Sequence, residues 1–388
     1  MNLALSFPTQ RYYRIAVSTF YFIQGVIFAT WASRIPDIQT KLRLSEGLLG
    51  GVLFAMPVGQ LTAMMLSGYL VNRFGSKTAL TLGAFLYPAA LLLLGAVNEL
   101  WQLCAALFVF GICGNLSNIS VNTQGVGVER LYRRSIMASF HGLWSLAGFA
   151  AGVAAAFMVA ANVAPLQHFM AVYIVTLPVI LVARRYVVPR DARPAQAPEQ
   201  KKRLVKPDAF IITLGLIAFA CMICEGTMFD WTGIYFEKVV HAPQALTRMG
   251  YIAFMSAMAG GRFISDAFVT RYGVKRILQA SGIIIVAGML LAVFLPDIVF
   301  ATAGFLLVGI GTSSVVPLVY SLAGRSKKIP AGIALASVSS IGFLGFLLGP
   351  PVIGFIAEAS NLRISFAFIA VLGLGTTLLA KRLGTLNR

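Results

Sequence analysis

The chain has 388 residues, of which 58% are hydrophobic and only 11% charged, with a mean hydropathy of +0.83. Soluble domains carry roughly 25% charged residues, so this composition excludes a water-exposed surface over such a length and points to lipid as the solvent. The formal net charge of +18 does not signal nucleic acid, because a nucleic-acid footprint gathers on one face or domain and here the basic residues recur at every second loop.

A hydrocarbon core about 30 Å thick requires about 20 apolar residues per helical span. In chain order the sequence predicts twelve, near 14–33, 46–71, 78–97, 101–126, 135–161, 165–185, 208–234, 246–268, 276–296, 298–322, 329–358 and 362–380. Gly and Pro inside them are tolerated where neighbouring helices satisfy the freed backbone groups. The expected fold is an all-α membrane protein with a 6+6 pseudo-two-fold arrangement: an N-terminal bundle at 1–183, a basic, Pro/Ala-rich cytoplasmic linker at 184–207, and a C-terminal bundle at 208–388. With the N-terminus inside, 24 of the 31 Lys and Arg fall on the cytoplasmic side, six fall in the opposite loops, and Arg262 lies within a span. This positive-inside asymmetry predicts a multi-pass membrane protein with both termini cytoplasmic. The first apolar stretch reads as a retained helix rather than a cleaved signal. The cysteines, Cys104, Cys113, Cys221 and Cys224, read as small apolar packing residues.

Polar side chains are costly inside lipid, so each is a functional candidate. The first span carries Gln24, with Trp31 and Arg34 near its end. In the fourth, Gly111, Asn115, Asn118, Asn122, Gly125 and Glu129 repeat at spacings of three and four, forming one face. An amide stripe supplies donors and acceptors without charge, which suits a hydroxyl-rich or amide-bearing solute; interhelical polar contact is the other reading. The fifth span adds His141, a substrate contact, proton acceptor or fixed hydrogen-bond partner, together with Trp144. Trp231 offers a face for stacking on a sugar ring or an interface anchor. Glu225 is the one carboxylate well inside an apolar span, which makes it a candidate protonatable switch; Asp230 follows five residues on, where Arg34 is a possible partner. The candidate gating residues, as ion pairs or as topology signals, are Arg34 at the end of the first span and, at the cytoplasmic ends, Asn72, Arg73, Glu129, Arg130, Arg262, Asp266 and Arg271.

A single offset relates the two halves. Shifting by 198 residues lays Arg73-Phe74-Gly75-Ser76-Lys77 on Arg271-Tyr272-Gly273-Val274-Lys275 and Gly111 on Gly309; an offset of 201 lays Gln24-Gly25 on Glu225-Gly226. Such repeats place a substrate site at mid-membrane between two halves that rock around it.

Gly68-Tyr69-Leu70-Val71-Asn72-Arg73-Phe74-Gly75-Ser76-Lys77 resembles the signature loop of the major facilitator superfamily, G-x-L-x-D-R-x-G-x-K, with Asn72 at the usual Asp. The second copy, from Gly261-Arg262 to Arg271-Tyr272-Gly273, keeps Asp266. The segments WASRIPDIQ (31–39), NISVNTQGVGVER (118–130), SFHGLWSLAG (139–148), EGTMFDW (225–231) and GFLGFLLGPPVIG (342–354) are similar to the fucose-permease-like branch of bacterial inner-membrane permeases. That resemblance implies a secondary transporter of a small polar, sugar-like solute. Relatives of that branch use acids in spans one and four, where this chain has Gln24, Asn115, Asn118 and Asn122.

The alternatives are a proton-coupled multidrug or metabolite exporter and a non-transporting membrane sensor. No metalloprotease, hydrolase, P-loop or dinucleotide motif is present, so neither enzyme activity nor a cofactor is expected. The expected partners are a small-molecule substrate, protons and membrane lipid, around a monomer.

Overall fold

A segment in lipid must satisfy its own backbone N–H and C=O groups, and an α-helix does this by internal i to i−4 bonding. The protein, described here from a computed structural model covering residues 7–132, 136–189, 207–326 and 331–386, is helical throughout, with no strand among the described residues. The first twelve-helix half of the expectation runs as α1 (Phe7–Ala32), α2 (Ile35–Leu42), α3 (Glu46–Leu53), α4 (Ala55–Phe74), α5 (Ser76–Ala96), α6 (Leu100–Tyr132), α7 (Met137–Ala160) and α8 (Pro165–Ala183). The second runs as α9 (Ala209–Asp230), α10 (Thr232–Lys238), α11 (Met249–Tyr272), α12 (Val274–Phe294), α13 (Ile298–Ser313), α14 (Val315–Gly324), α15 (Ala331–Ala359) and α16 (Leu362–Leu386). Among the described residues, eleven stretches are long and apolar enough to cross a membrane. The 24-residue α11, about 36 Å long at 1.5 Å per residue, is a twelfth helix of spanning length.

The α-elements outnumber the predicted spans because several spans are interrupted. α1 gives way to α2 at Ser33–Arg34, α3 to α4 at Phe54, α9 to α10 at Trp231, and α13 to α14 at Ser314. Most of the linker expected at 184–207, residues 190–206, lies outside the described residues. Its start is a short 3-10 turn, Arg184–Tyr186.

The chain divides into two units, Met1–Leu42 with Ala55–Glu199 and Arg43–Phe54 with Gln200–Arg388. In the first, α6 packs against α4 and α5, and α1 against α7. In the second, α15 packs against α9, and α12 against α13 and α16. Residues 43–54 fall within the N-terminal bundle as read from sequence, yet they pack with the second unit. The reason is local: α3 lies on α15, the Gly47 N–H donates to Glu358 Oε2 (3.1 Å), and Lys238 Nζ pairs with Glu46 Oε1 (2.6 Å).

The 198-residue offset recurs as geometry within each unit. Gly75 has φ 83° and ψ 152°, and Gly273 has φ 79° and ψ 151°. A left-handed residue at this turn favours glycine, because a Cβ would meet the following carbonyl. Gly111 of α6 sits against the Met56 carbonyl of α4, and Gly309 of α13 sits against the Phe254 carbonyl of α11. Both glycine and carbonyl are displaced by 198 residues, so the helix crossing itself is repeated. Helices in lipid associate through close packing of small residues, and these glycines mark where the backbones touch.

Replacing Gly111 or Gly309 with Ala is therefore expected to cost about 1–3 kcal/mol through overpacking. Thermal melting of the detergent-solubilised protein measures this, with Gly260→Ala as the control, since an added Cβ there meets nothing within 4 Å. Equal melting of Gly111→Ala and Gly260→Ala would contradict the crossing.

Candidate functional site

In the first unit, the amide face of α6 meets α1 and α7. Tyr21 Oη donates to Asn122 Oδ1 at 2.8 Å. Asn122 Nδ2 in turn donates to the Asn118 carbonyl at 2.9 Å and also contacts Asn118 Oδ1. The Tyr21 ring stacks on Phe140 (centroids 5.3 Å, 8° between planes) and meets His141 edge-on at 5.3 Å. Gly125 makes room for this group: a Cβ there would come within 3.2 Å of Tyr21 Oη. Asn118 and Asn122, one turn apart, line a cavity of about 490 Å³ together with Thr123, Gln124, Arg130 and Val188.

Further along the same unit, Gln24 Nε2, Trp31 Nε1 and Asn115 Oδ1 are among the buried polar atoms that have no hydrogen-bond partner among the described residues. A buried polar atom without a partner carries a desolvation cost of about 1–3 kcal/mol, and a polar ligand or water removes that cost. Trp144 is half-buried and tilts against Phe28 at 5.8 Å, and its carbonyl lies against Gly25.

Sequence reasoning missed two residues here. Tyr21 reads as one more aromatic in an apolar span, and its partner Asn122 is 101 residues away. Gln124 lies off the amide stripe. Its Nε2 donates to Ser76 Oγ (2.7 Å) and to the Val188 carbonyl (3.0 Å), and its Oε1 accepts from the Val188 N–H (2.8 Å). One amide thus ties α6 to the signature loop and to the start of the linker. No signal in the sequence set it apart, since Asn122 and Thr123 directly precede it and the stripe runs past it.

In the second unit, Glu225 is half-buried on α9. Cys221, one turn earlier, points its Sγ at Glu225 Oε1 (3.7 Å), so the cysteine read as packing is also a neighbour of the acid. Arg262 of α11 and Tyr320 of α14 both lie within electrostatic reach of Glu225. Asp230 is buried in reach of Tyr251. Phe229 contacts Tyr251 (6.4 Å), Phe254 (5.7 Å) and Phe346 (6.5 Å). Trp231 is fully buried at the α9–α10 break, with Nε1 unpartnered.

The charges expected to gate have local roles. Arg34 is buried and donates to Asp37 Oδ1 (3.1 Å), to the Val163 carbonyl (2.8 Å) and to His168 Nδ1 (3.2 Å), all within the first unit. Glu129 Oε2 accepts the Ile136 and Met137 N–H groups (2.8 and 3.0 Å) at the start of α7, where helix donors lack internal partners. Arg73 donates to Tyr69 Oη (2.7 Å) and lies over Phe74 (5.7 Å); Arg271 lies over Tyr272 (5.4 Å). Asn72 and Arg130 are exposed. The Asp266 side chain lies outside the described residues.

The described residues hold no group of three or more His, Cys, Asp or Glu suited to a metal ion. The first unit thus gathers neutral amides on α6, and the second carries a carboxyl with a guanidinium in electrostatic reach.

Known proteins agree with this architecture. The model of the Major Facilitator Superfamily matches residues 16–331. The chain is 31% identical over 354 residues to an uncharacterized MFS-type transporter of Yersinia pestis, covering 91% of each. It is 30% identical over 359 residues to the membrane protein MosC of Rhizobium meliloti, covering 92% of this chain and 87% of the other. Among solved structures, a D-xylose-proton symporter superposes with a TM-score of 0.75 at 14% identity, covering 97% of this chain and 98% of that one. The nucleoside transporter NupG superposes with a TM-score of 0.70 at 13% identity, covering 96% and 98%. Signature loop, repeated crossing and twelve-helix fold therefore have one explanation: the chain belongs to the Major Facilitator Superfamily of membrane transporters.

Proposed function

We propose that this protein is a secondary active transporter of a small, neutral, hydroxyl-rich solute, sugar-like in its chemistry, in a bacterial inner membrane with both termini cytoplasmic. The observation that carries the reading is the amide pair Asn118–Asn122, braced by Tyr21 and lining a cavity of about 490 Å³. That volume lies within the range of about 300–1,000 Å³ usual for small-molecule sites. Amides present both donors and acceptors, so each hydroxyl of a sugar finds a complement without a charge to desolvate. Gln24, His141 and Trp144 extend the recognition surface, and Trp231 supplies a stacking face in the second unit. The fucose-permease-like branch is part of the same proposal.

Transport proceeds by alternating access, the two related halves rocking about the bound solute. Arg73, Arg130, Arg262, Asp266 and Arg271 close the cytoplasmic side. Glu225 carries the coupling proton, since it is a half-buried acid with a cation and a phenol in reach, and Arg262 is placed to compensate its charged form. Asp230 and His141 are the subsidiary titrating groups. A proton-coupled exporter of lipophilic cations is the second reading, favoured by the aromatic group Phe229, Tyr251, Phe254 and Phe346 beside the buried Asp230.

A thermal-shift screen of the purified protein against sugars, sugar acids, nucleosides and lipophilic dyes separates these readings, because any ligand of the folded state raises its melting temperature. The expected hit is a neutral polyol or sugar. A response confined to lipophilic cations favours the exporter.

For the hit compound, Asn118→Ala and Asn122→Ala should each weaken apparent affinity about tenfold, the value of one to two lost hydrogen bonds, and Asn122→Ala should also lower the melting temperature by removing the acceptor of Tyr21 Oη. Uptake indistinguishable from wild type in both would remove the site. Proton entry into proteoliposomes, followed with a lumenal pH dye, should accompany uptake in wild type and vanish in Glu225→Gln. Undiminished proton entry in that variant removes Glu225 as the carrier.

A further inference from the structure

A groove outside the proposed transport path runs along α1, α7 and α8 within the first unit, with a volume of about 950 Å³. Its two ends differ in chemistry. Arg11 and Arg14 stand at one end, with Ser18 and Thr19 one turn deeper. Beyond them the walls are Phe22 and Val26 of α1, Leu143 of α7, and Val175 and Val179 of α8. Ile15, Val175 and Val179 are exposed, so the groove opens sideways rather than into the bundle.

The cationic end coincides with an aromatic belt. Arg14 lies over the Tyr132 ring at 5.5 Å, and Tyr12 meets Tyr186 at 5.6 Å, beside Arg184 and Arg185. Tyrosine and arginine together mark the level of lipid headgroups. From Arg11 to Val26 the groove follows about 22 Å of helix, close to the depth of one leaflet with its headgroups, about half of 40–45 Å. A guanidinium stacked on a ring keeps its in-plane N–H donors for an anion.

We propose that this groove is a binding site for one anionic phospholipid of the leaflet that borders the chain's N-terminus, its phosphate held by Arg11 and Arg14 and an acyl chain lying along Phe22, Leu143 and Val179. Charge complementarity selects the occupant: a cationic end followed, past the hydroxyls of Ser18 and Thr19, by a mainly apolar wall matches a molecule with a single anionic head and a hydrocarbon tail. Basic pockets between membrane helices bind anionic headgroups by this logic. A second copy of the chain would present no such isolated anion, and a soluble phosphate would leave the apolar wall unused.

The test uses full-length protein, delipidated in detergent and titrated with phosphatidylglycerol, phosphatidylcholine or water-soluble glycerol 3-phosphate, with binding read by native mass spectrometry and melting temperature. Phosphatidylglycerol should bind with one preferred equivalent and stabilise the protein, while phosphatidylcholine and glycerol 3-phosphate should not. In Arg11→Ala/Arg14→Ala that preference should fall about tenfold or more, from roughly a fivefold contribution per basic residue at a membrane surface. Arg11→Lys/Arg14→Lys should retain most of it, which separates charge from folding. Val175→Trp, at an exposed position, should block the tail and reduce binding with both arginines in place. Equal binding of phosphatidylglycerol and phosphatidylcholine, full retention in the double Ala variant, or self-association in place of lipid uptake overturns the proposal.

Discussion

Water is missing from the middle of a membrane, and every feature of this chain answers to that absence. The backbone responds by closing its hydrogen bonds inside helices. Side chains have fewer options: a polar group must find a partner from another helix or wait for a ligand. Tyr21, Asn118 and Asn122 take the first course, joining α1 to α6. Gln24 Nε2 and Asn115 Oδ1 are buried with no hydrogen-bond partner among the described residues, an arrangement that costs stability. The proposed site joins amides the fold has already braced, Asn118 and Asn122, to polar atoms it leaves incomplete.

The same constraint explains why the repeat survives where it does. Close approach between helices is set by glycine against carbonyl, and Gly111–Met56 and Gly309–Phe254 keep that contact at one constant offset. The turn glycines Gly75 and Gly273 keep their left-handed backbone, and each preceding helix ends with an arginine over an aromatic ring, Arg73 over Phe74 and Arg271 over Tyr272. Residues that shape the scaffold have little room to diverge. The polar interior has diverged freely, with amides on α6 and a carboxyl on α9.

Much of this was legible in the sequence. Helical spans follow from apolar run length, and the α6 stripe follows from spacing, since residues three and four apart must share a face. What stayed hidden was pairing across sequence distance. Gln124 and Val188 are 64 residues apart and meet through one bidentate amide, which no periodicity encodes. Helix interruptions were also unreadable: the chain breaks at Ser33–Arg34 and at Trp231 without a proline at either position. Arg34 and Glu129 show the converse limit. Their charge made them gate candidates, and the sequence did not show the local contacts they also make: the first reaches His168 and the Val163 carbonyl, and the second caps α7.

The two units therefore differ in kind as well as in sequence. An amide neither gains nor loses a proton over the physiological range, so recognition built on Asn118 and Asn122 is insensitive to pH. A carboxyl near a guanidinium changes the net charge of its surroundings by one whenever it titrates, and Glu225 beside Arg262 is such a group within a span. The repeat sets Gln24 and Glu225 at equivalent positions, an amide in one half and a carboxyl in the other; in the proposed mechanism the neutral half recognises the solute and the charged half carries the proton. Moving the acid from one half to the other, by exchanging Gln24 and Glu225, would shift charge into the unit that has no arginine beside that position in the repeat, since the residue 198 before Arg262 is Met64. An unpaired carboxylate in an apolar span is costly, so the cation on α11 is what permits the acid on α9.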